Sequence, residues 1–111
     1  MAEKPLVFVG STLNRLRAFP AAARRGAGHE LFLVQSGLDP DDGKPVRTVG
    51  PGVFEIRVHW GGEFRVLYIA KFPEAVYALH AFEKKTQQTR QADIELGRKN
   101  LAWVQRARRE A

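Results

Sequence analysis

The middle of the chain alternates apolar and polar residues with a period of two. Residues 54–59 read Phe-Glu-Ile-Arg-Val-His, a pattern typical of a strand with one buried face. Gly61 and Gly62 follow, and a Gly-Gly pair tolerates the positive φ angles of a tight hairpin turn. Residues 64–72 are almost entirely apolar, which predicts a returning strand at the centre of a sheet.

The flanking segments add helices and further strands. The other predicted elements are a strand at residues 6–9, helices over 13–19 and 21–36, a third meander strand at 76–82, and a last helix from about 90 to 108. Ser11 or Thr12 is the expected hydroxyl cap of the first helix, and Thr89 that of the last. This order predicts an α+β fold with an N-terminal strand, a helical hairpin packed on a twisted antiparallel sheet, and a C-terminal helix. We expect the helices to share one face of that sheet.

Basic residues concentrate in the last quarter of the chain. The net charge is +6, from 18 basic and 12 acidic residues. Residues 1–83 hold 10 basic and 9 acidic side chains (+1), whereas residues 84–111 hold 8 and 3 (+5). Such a field favours a polyanion or an acidic protein surface, although a merely solvated helix would carry the same charge.

The composition is that of an ordinary globular protein. We expect a single domain over residues 1–111, a size that buries one modest core. The chain has no cysteine, which excludes disulfides and thiolate chemistry. No apolar run approaches the roughly 20 residues of a membrane span, and no export signal is visible. We therefore expect a cytoplasmic protein without a membrane partner.

Two arginines flank the predicted hairpin. If Gly61 and Gly62 are the only loop residues, Val58 pairs with Arg65, and Arg57 lies diagonal to Arg65. Such close arginines repel each other unless an anion or a carboxylate lies between them. An Arg-Glu ladder on an exposed sheet face is one interpretation, with the carboxylates at positions 55 and 63. Because Arg65 lies in the most apolar strand, where an unpaired arginine is costly to bury, we favour a functional role for it.

Two adjacent lysines end the third predicted strand. Lys84 and Lys85 point in opposite directions if the strand persists, so one of them can face a cleft and hold a phosphate. His80 shares a face with Lys84. A neutral imidazole can take a proton near pH 7, but we favour a hydrogen-bonded core histidine as the interpretation.

Cofactor and metal sites are not expected. No glycine motif that cradles phosphate precedes a helix. The three histidines, His29, His59 and His80, show no ligand spacing, and no cysteine is present to join them.

Several blocks together resemble a known family. They read Leu-x-x-Leu-x-Ala-Phe-Pro at residues 13–20, Glu-Ile-Arg at 55–57, Phe-Arg-Val-Leu-Tyr at 64–68, Leu-His-Ala-Phe-Glu-Lys-Lys-Thr-Gln-Gln-Thr at 79–89 and Asp-Ile-Glu-Leu at 93–96. The chain resembles the RelE/HigB-like toxins of bacterial type II toxin–antitoxin systems, in particular their phage-derived branch. The similarity runs from about residue 6 to residue 101, and the block at 79–89 is its most specific part.

The resemblance implies a RelE-like fold and an activity. Such toxins are mRNA interferases, metal-independent endoribonucleases that usually cut mRNA in the ribosomal A site. It also implies a cognate antitoxin with a helix-turn-helix domain, so that the toxin meets operator DNA only through the antitoxin complex. ParE proteins share the fold and act on gyrase, so a gyrase-directed toxin remains an alternative, as does a non-enzymatic basic module that binds nucleic acid.

On this hypothesis the basic residues take specific roles. A ribose 2′-hydroxyl attacks its own 3′-phosphate and leaves a 2′,3′-cyclic phosphate and a 5′-hydroxyl. We assign Arg65 to the phosphate with Arg57 assisting, Lys84 as the acid or second clamp, and His80 as a candidate base. The residues expected to contact the RNA backbone are Lys85, Lys71, Arg47 and Lys44.

The chain departs from the family pattern at two positions. Arg90 stands where the family often has proline, and Gly97 stands where it usually has alanine or lysine. Both changes are expected to loosen the start of the last helix rather than to alter the candidate site.

Overall fold

The computed structural model describes residues 3–111, which form five strands and three helices. The strands are β1 (Leu6–Phe8), β2 (Gly43–Pro45), β3 (Val53–His59), β4 (Glu63–Ile69) and β5 (Val76–Glu83). The helices are α1 (Thr12–Arg17), α2 (Ala21–Gln35) and α3 (Gln91–Glu110). No helix in this range is long and apolar enough to cross a membrane.

The strands form one five-stranded sheet in the order β1-β5-β4-β3-β2. Strands β2 to β5 pair antiparallel, with β4 at the centre as predicted, and β1 adds a parallel strand beside β5. This architecture confirms the predicted α+β class, with an N-terminal strand, a helical hairpin and a C-terminal helix around the sheet.

The helices cover both faces of the sheet, and the expectation that they share one face is wrong. One core packs α1 and α2 against sheet residues that include Ile56 and Val66. The other packs Leu101 and Val104 of α3 against residues that include Leu67. Adjacent residues of one strand point to opposite faces, so Val66 and Leu67 belong to different cores. The sheet is therefore the middle of three layers.

This layering changes which residues of β3 are buried. Alternation predicted an inward Phe54 and an outward Glu55, but Phe54 is 41% exposed and Glu55 only 4% exposed. Residue Phe54 lies beyond the end of α2, beside a surface groove. Glu55 faces the α3 side of the sheet, where Arg65 partners its carboxylate. An exposed Arg-Glu ladder is thus incorrect for Arg65 and Glu55, whose side chains are buried, whereas Glu63 is partly exposed.

The hairpin between β3 and β4 has three loop residues rather than two. His59 pairs with Glu63, so residues 60–62 form the loop, and Gly61 has a φ of +70°. The predicted register is therefore wrong by one residue. Arg57 lies directly opposite Arg65 instead of diagonal to it.

The predicted helix caps are also wrong. Neither Ser11 nor Arg90, the residues at the N-caps of α1 and α3, makes a side-chain cap hydrogen bond, and Thr89 precedes the cap of α3. The Thr12 hydroxyl instead donates to the carbonyl of Val9.

Helix α3 lies very close to the sheet. A Cβ atom on Gly97 would lie 3.0 Å from Cδ1 of Leu67 and 3.1 Å from Cγ1 of Val49. The glycine expected to weaken this helix therefore permits its close packing. Trp103 of the same helix is 48% exposed.

Candidate functional site

Three cross-strand rows form the α3-side face of the sheet near the β3–β4 hairpin. In the middle row Arg57 lies opposite Arg65, which lies opposite Phe82. In the row nearer the hairpin, His59 lies opposite Glu63, whose carbonyl accepts a hydrogen bond from the amide of Lys84. In the third row, Glu55 lies opposite Leu67, which lies opposite His80. Because side chains alternate along each strand, the three rows face the same side.

The Arg65 side chain is buried and surrounded by acceptors. Only 7% of it is exposed, and its Nε lies 3.3 Å from a carboxylate oxygen of Glu55. Its NH2 group donates to Glu63 at 3.2 Å, and NH1 donates to the carbonyl of Phe64 at 3.0 Å. Two carboxylates thus compensate a guanidinium that burial would otherwise destabilise.

Two guanidinium N–H groups in the middle row have no hydrogen-bond acceptor. The Nε atoms of Arg57 and Arg65 are buried and unpaired among the described residues. The 3.3 Å contact of Arg65 with Glu55 provides charge attraction, but its N–H is not aligned on the oxygen. The nearest carboxylate to Arg57, that of Asp42, is 3.9 Å away. Neighbouring unpaired donors on two strands are suited to an anion.

His59 joins two carboxylates at the end of this face. Its Nδ1 lies 2.8 Å from Glu63 and its Nε2 lies 2.8 Å from Asp42. The hydrogen bond with Asp42, followed by that with Glu63, raises the pKa of His59. The same contacts with His59 lower the pKa values of Asp42 and Glu63. The group is therefore best described as an imidazolium between two carboxylates.

His80 lies one row further from the hairpin and is buried beneath α3. Its Nε2 lies 2.8 Å from Oδ1 of Asp93 in the first turn of that helix, and its ring stacks on Phe82. Burial lowers the pKa of His80, against the opposing effect of Asp93. The structure thus gives His80 the hydrogen-bonded core environment that was one of its two interpretations.

A cleft of about 340 Å³ lies beside the last residues of β5. It contains Lys85, Arg15 of α1 and Arg90, with Asp93 and Phe82 on its wall. Strand β5 ends at Glu83, so the condition for Lys84 and Lys85 to point in opposite directions, a strand that persists through them, is not met. Cations from three separate segments converge in the cleft.

A family model described as "Phage derived protein Gp49-like (DUF891)" matches residues 14–102. The chain belongs to this Gp49-like family. Among solved structures, a mutant of the E. coli toxin RelE in the free state is similar, with a TM-score of 0.65 and 15% sequence identity over 94% of this chain and 99% of that chain. No curated protein matches the chain. The resemblance to RelE-like toxins, drawn from the sequence blocks, is confirmed.

The other RNA-contact candidates of this Gp49-like chain are dispersed. Lys44 lies beside the middle rows, with its Nζ 4.0 Å from Glu55. Lys71 follows the far end of β4, where it lines a groove with Phe54, and Arg47 lines a shallow depression on the loop after β2. The structure therefore does not bring Lys71 and Arg47 to the arginine pair.

Sequence reasoning named Glu55 and Glu63 only as partners in an Arg-Glu ladder, and it missed Asp42 and the linking role of His59. Asp42, Glu55 and Glu63 contact the cations, and His59 links two of these carboxylates. The period of β3 and β4 places residues 55, 57, 59, 63 and 65 on one face, and this signal could have found all but Asp42. Asp42 comes from the loop before β2, and no periodic pattern connects that loop to the hairpin.

Proposed function

We propose that this Gp49-like protein is the toxin of a type II toxin–antitoxin system and cleaves mRNA as a metal-independent endoribonuclease. The observation that supports this proposal most directly is the direct cross-strand pairing of two arginines, Arg57 and Arg65. A phosphodiester beside Arg57, whose side chain is 28% exposed, would add negative charge where the two guanidinium charges already lie.

The reaction on this face follows from three requirements. The ribose 2′-hydroxyl attacks the adjacent phosphorus while the P–O bond to the 5′-oxygen breaks, and the products are a 2′,3′-cyclic phosphate and a 5′-hydroxyl. The charge that grows on the phosphate oxygens needs fixed cations, and we assign these to Arg57 and Arg65. Lys84, in the neighbouring row, protonates the leaving 5′-oxygen or acts as a second clamp.

We propose Glu63, rather than His80, as the general base. His80 is buried and its Nε2 is engaged by Asp93, so RNA reaches it only after α3 moves. Glu63 is partly exposed, lies opposite Lys84 and contacts Arg65. Its carboxylate can accept the 2′-hydroxyl proton, although the contact with His59, which lowers the pKa of Glu63, makes it a weaker base. His59 acts as a positioning residue that holds Glu63.

The partners belong to the same proposal. Messenger RNA, in the ribosomal A site, is the substrate, and a cognate helix-turn-helix antitoxin neutralises the toxin and carries it to operator DNA. The +5 charge of residues 84–111 suits RNA or an acidic antitoxin segment. Because its substrate is mRNA in the ribosome, we propose that the protein acts in the cytoplasm.

The decisive variant is Arg57→Ala, because Arg57 is 28% exposed and its loss leaves the core intact. Induction of the wild-type protein should arrest growth, and primer extension should reveal new 5′ ends within transcripts. Arg57→Ala should lose both effects by about 100-fold or more, since removing a transition-state donor typically costs that much. Arg106→Ala, an exposed arginine on the outer part of α3, is the matched control and should remain toxic.

Arg65 needs a milder change because it is buried against Glu55. Arg65→Ala leaves that carboxylate without its main partner, which typically costs about 3–5 kcal/mol. Arg65→Lys keeps the charge but removes the planar fork, so it should fold and cleave poorly. Full toxicity of Arg57→Ala and Arg65→Lys would refute the site. DNA damage with intact transcripts would indicate the gyrase-directed alternative.

A further inference from the structure

Three metal-ligating side chains converge at a place remote from the arginine pair. His29 and Glu30 lie on α2, and Asp41 lies on the loop before β2. One ligand atom from each of them falls within 4.8 Å of the others. Sequence spacing gave no sign of this group, because Asp41 is brought to α2 only by the folded loop.

Glu30 is the second observation that points to a cation. It is only 7% exposed, and its carboxylate accepts one backbone N–H, that of Asp41, at 3.2 and 3.3 Å. Within residues 3–111 it forms no ion pair and has no hydrogen-bond donor outside the cluster. Buried carboxylates are normally paired with a cation or bound to a metal. The Glu30 carboxylate has no cationic side chain within ion-pair distance in residues 3–111.

The cluster is accessible from solvent. The three side chains line a cleft of about 560 Å³ between α2 and β3. His29 and Asp41 are exposed, so their side chains can rotate, whereas the buried Glu30 is fixed. A bound ion requires ligand atoms about 3–4 Å apart, and rotation of the two exposed side chains supplies that contraction.

We propose that His29, Glu30 and Asp41 bind one divalent transition-metal ion. One imidazole nitrogen and two carboxylate oxygens form a donor set that suits Zn²⁺ or Ni²⁺ better than Mg²⁺, which prefers oxygen ligands alone. Water completes the coordination from the open cleft. The proposal stands independently of the endoribonuclease, because no step of RNA cleavage passes through this ion.

The ion would fix the loop before β2 against α2. The next residue, Asp42, lines the same cleft, approaches Arg57 at 3.9 Å and accepts a hydrogen bond from the Arg57 amide. Anchoring Asp41 therefore restrains the carboxylate beside the arginine pair. The ion would therefore hold the loop before β2 in position.

Metal binding can be measured directly on the purified full chain after treatment with a chelator. Titration with ZnCl₂, NiCl₂ and MgCl₂ by calorimetry should give one saturable site per chain for zinc or nickel, and a higher melting temperature in their presence. His29→Ala and Asp41→Asn change exposed residues and should each weaken binding about tenfold or more.

Arg25→Ala is the control, because it removes an exposed side chain from the same cleft that is not a proposed ligand. It should bind the metal at least as tightly as the wild-type chain does. The inference is overturned if neither zinc nor nickel saturates one site, or if His29→Ala leaves the affinity unchanged. Since binding is measured without RNA, its failure and the failure of the endoribonuclease proposal are separate outcomes.

Discussion

At the scale of single residues, the burial of Glu55 and the exposure of Phe54 show what the strand pattern could predict. The alternation of β3 correctly placed residues 55, 57 and 59 on one face. It did not identify that face as buried, because the helix that covers it, α3, lies about 40 residues further along the chain. Periodicity records which residues share a side of a strand but not what packs on that side.

The buried imidazole of His80 makes stability depend on pH. Burial lowers the pKa of His80 in the folded chain below its unfolded value of 6.5. Above that value neither state binds the proton and the full stability is present. As the pH falls below it, the unfolded chain takes up a proton that the folded chain excludes, so stability declines until the folded pKa is reached.

We expect His80→Gln to remove this dependence. Glutamine can still donate a hydrogen bond to Asp93 but does not titrate. Urea unfolding of both proteins from pH about 7.5 to about 5 would isolate His80, since the other titrating groups are common to both. The wild-type free energy of unfolding should fall relative to that of the variant below about pH 6.5. If the free energies of unfolding of the two proteins change in parallel with pH, the burial of His80 does not reduce stability at low pH.

At the scale of elements, the helices and meander strands were predictable, but their ends and contacts were not. The predicted helix over residues 21–36 matches α2, which ends at Gln35 and is followed by Gly37 with a φ of +81°. The hairpin register slipped by one residue because Trp60 joins the two glycines in the loop. Loop length depends on which cross-strand pairs pack best, a tertiary property that local sequence does not encode.

Gly26 and Gly28 in α2 allow the effect of helix propensity on stability to be separated from the effect of side-chain packing. A Cβ on Gly28 would meet no atom within 4 Å, so Gly28→Ala should stabilise the protein by about 1 kcal/mol through helix propensity alone. A Cβ on Gly26 would lie 3.0 Å from Nε1 of Trp60 and 3.1 Å from Cγ1 of Val58. Gly26→Ala should therefore lose that gain or destabilise the chain.

Chemical denaturation of both alanine variants beside the wild-type chain measures this difference. The midpoint should rise for Gly28→Ala and should stay level or fall for Gly26→Ala, with the slope unchanged. Equal gains at the two positions would mean that Trp60 and Val58 move away at no cost.

At the scale of the whole molecule, the two cores share one sheet and should unfold together. Val66 and Leu67 are neighbours on β4 and support opposite cores, so neither layer keeps its partner surface if the other unfolds. The two tryptophans report on separate layers, since Trp60 contacts α2 and Trp103 lies on α3.

Single-tryptophan variants, Trp60→Phe and Trp103→Phe, can test this coupling by fluorescence. The transition reported by Trp103 should coincide with the one reported by Trp60, once each variant is compared with its own circular-dichroism curve. An earlier transition at Trp103 would instead show that α3 detaches from an otherwise folded sheet.

The shortness of the two outermost strands has a consequence for the isolated protein. β1 and β2 have three residues each, and they form the two outer edges of the sheet. Exposed backbone at the edge of a sheet is what templates edge-to-edge aggregation, and short edge strands offer little of it. The isolated chain therefore has little tendency to polymerise through its sheet.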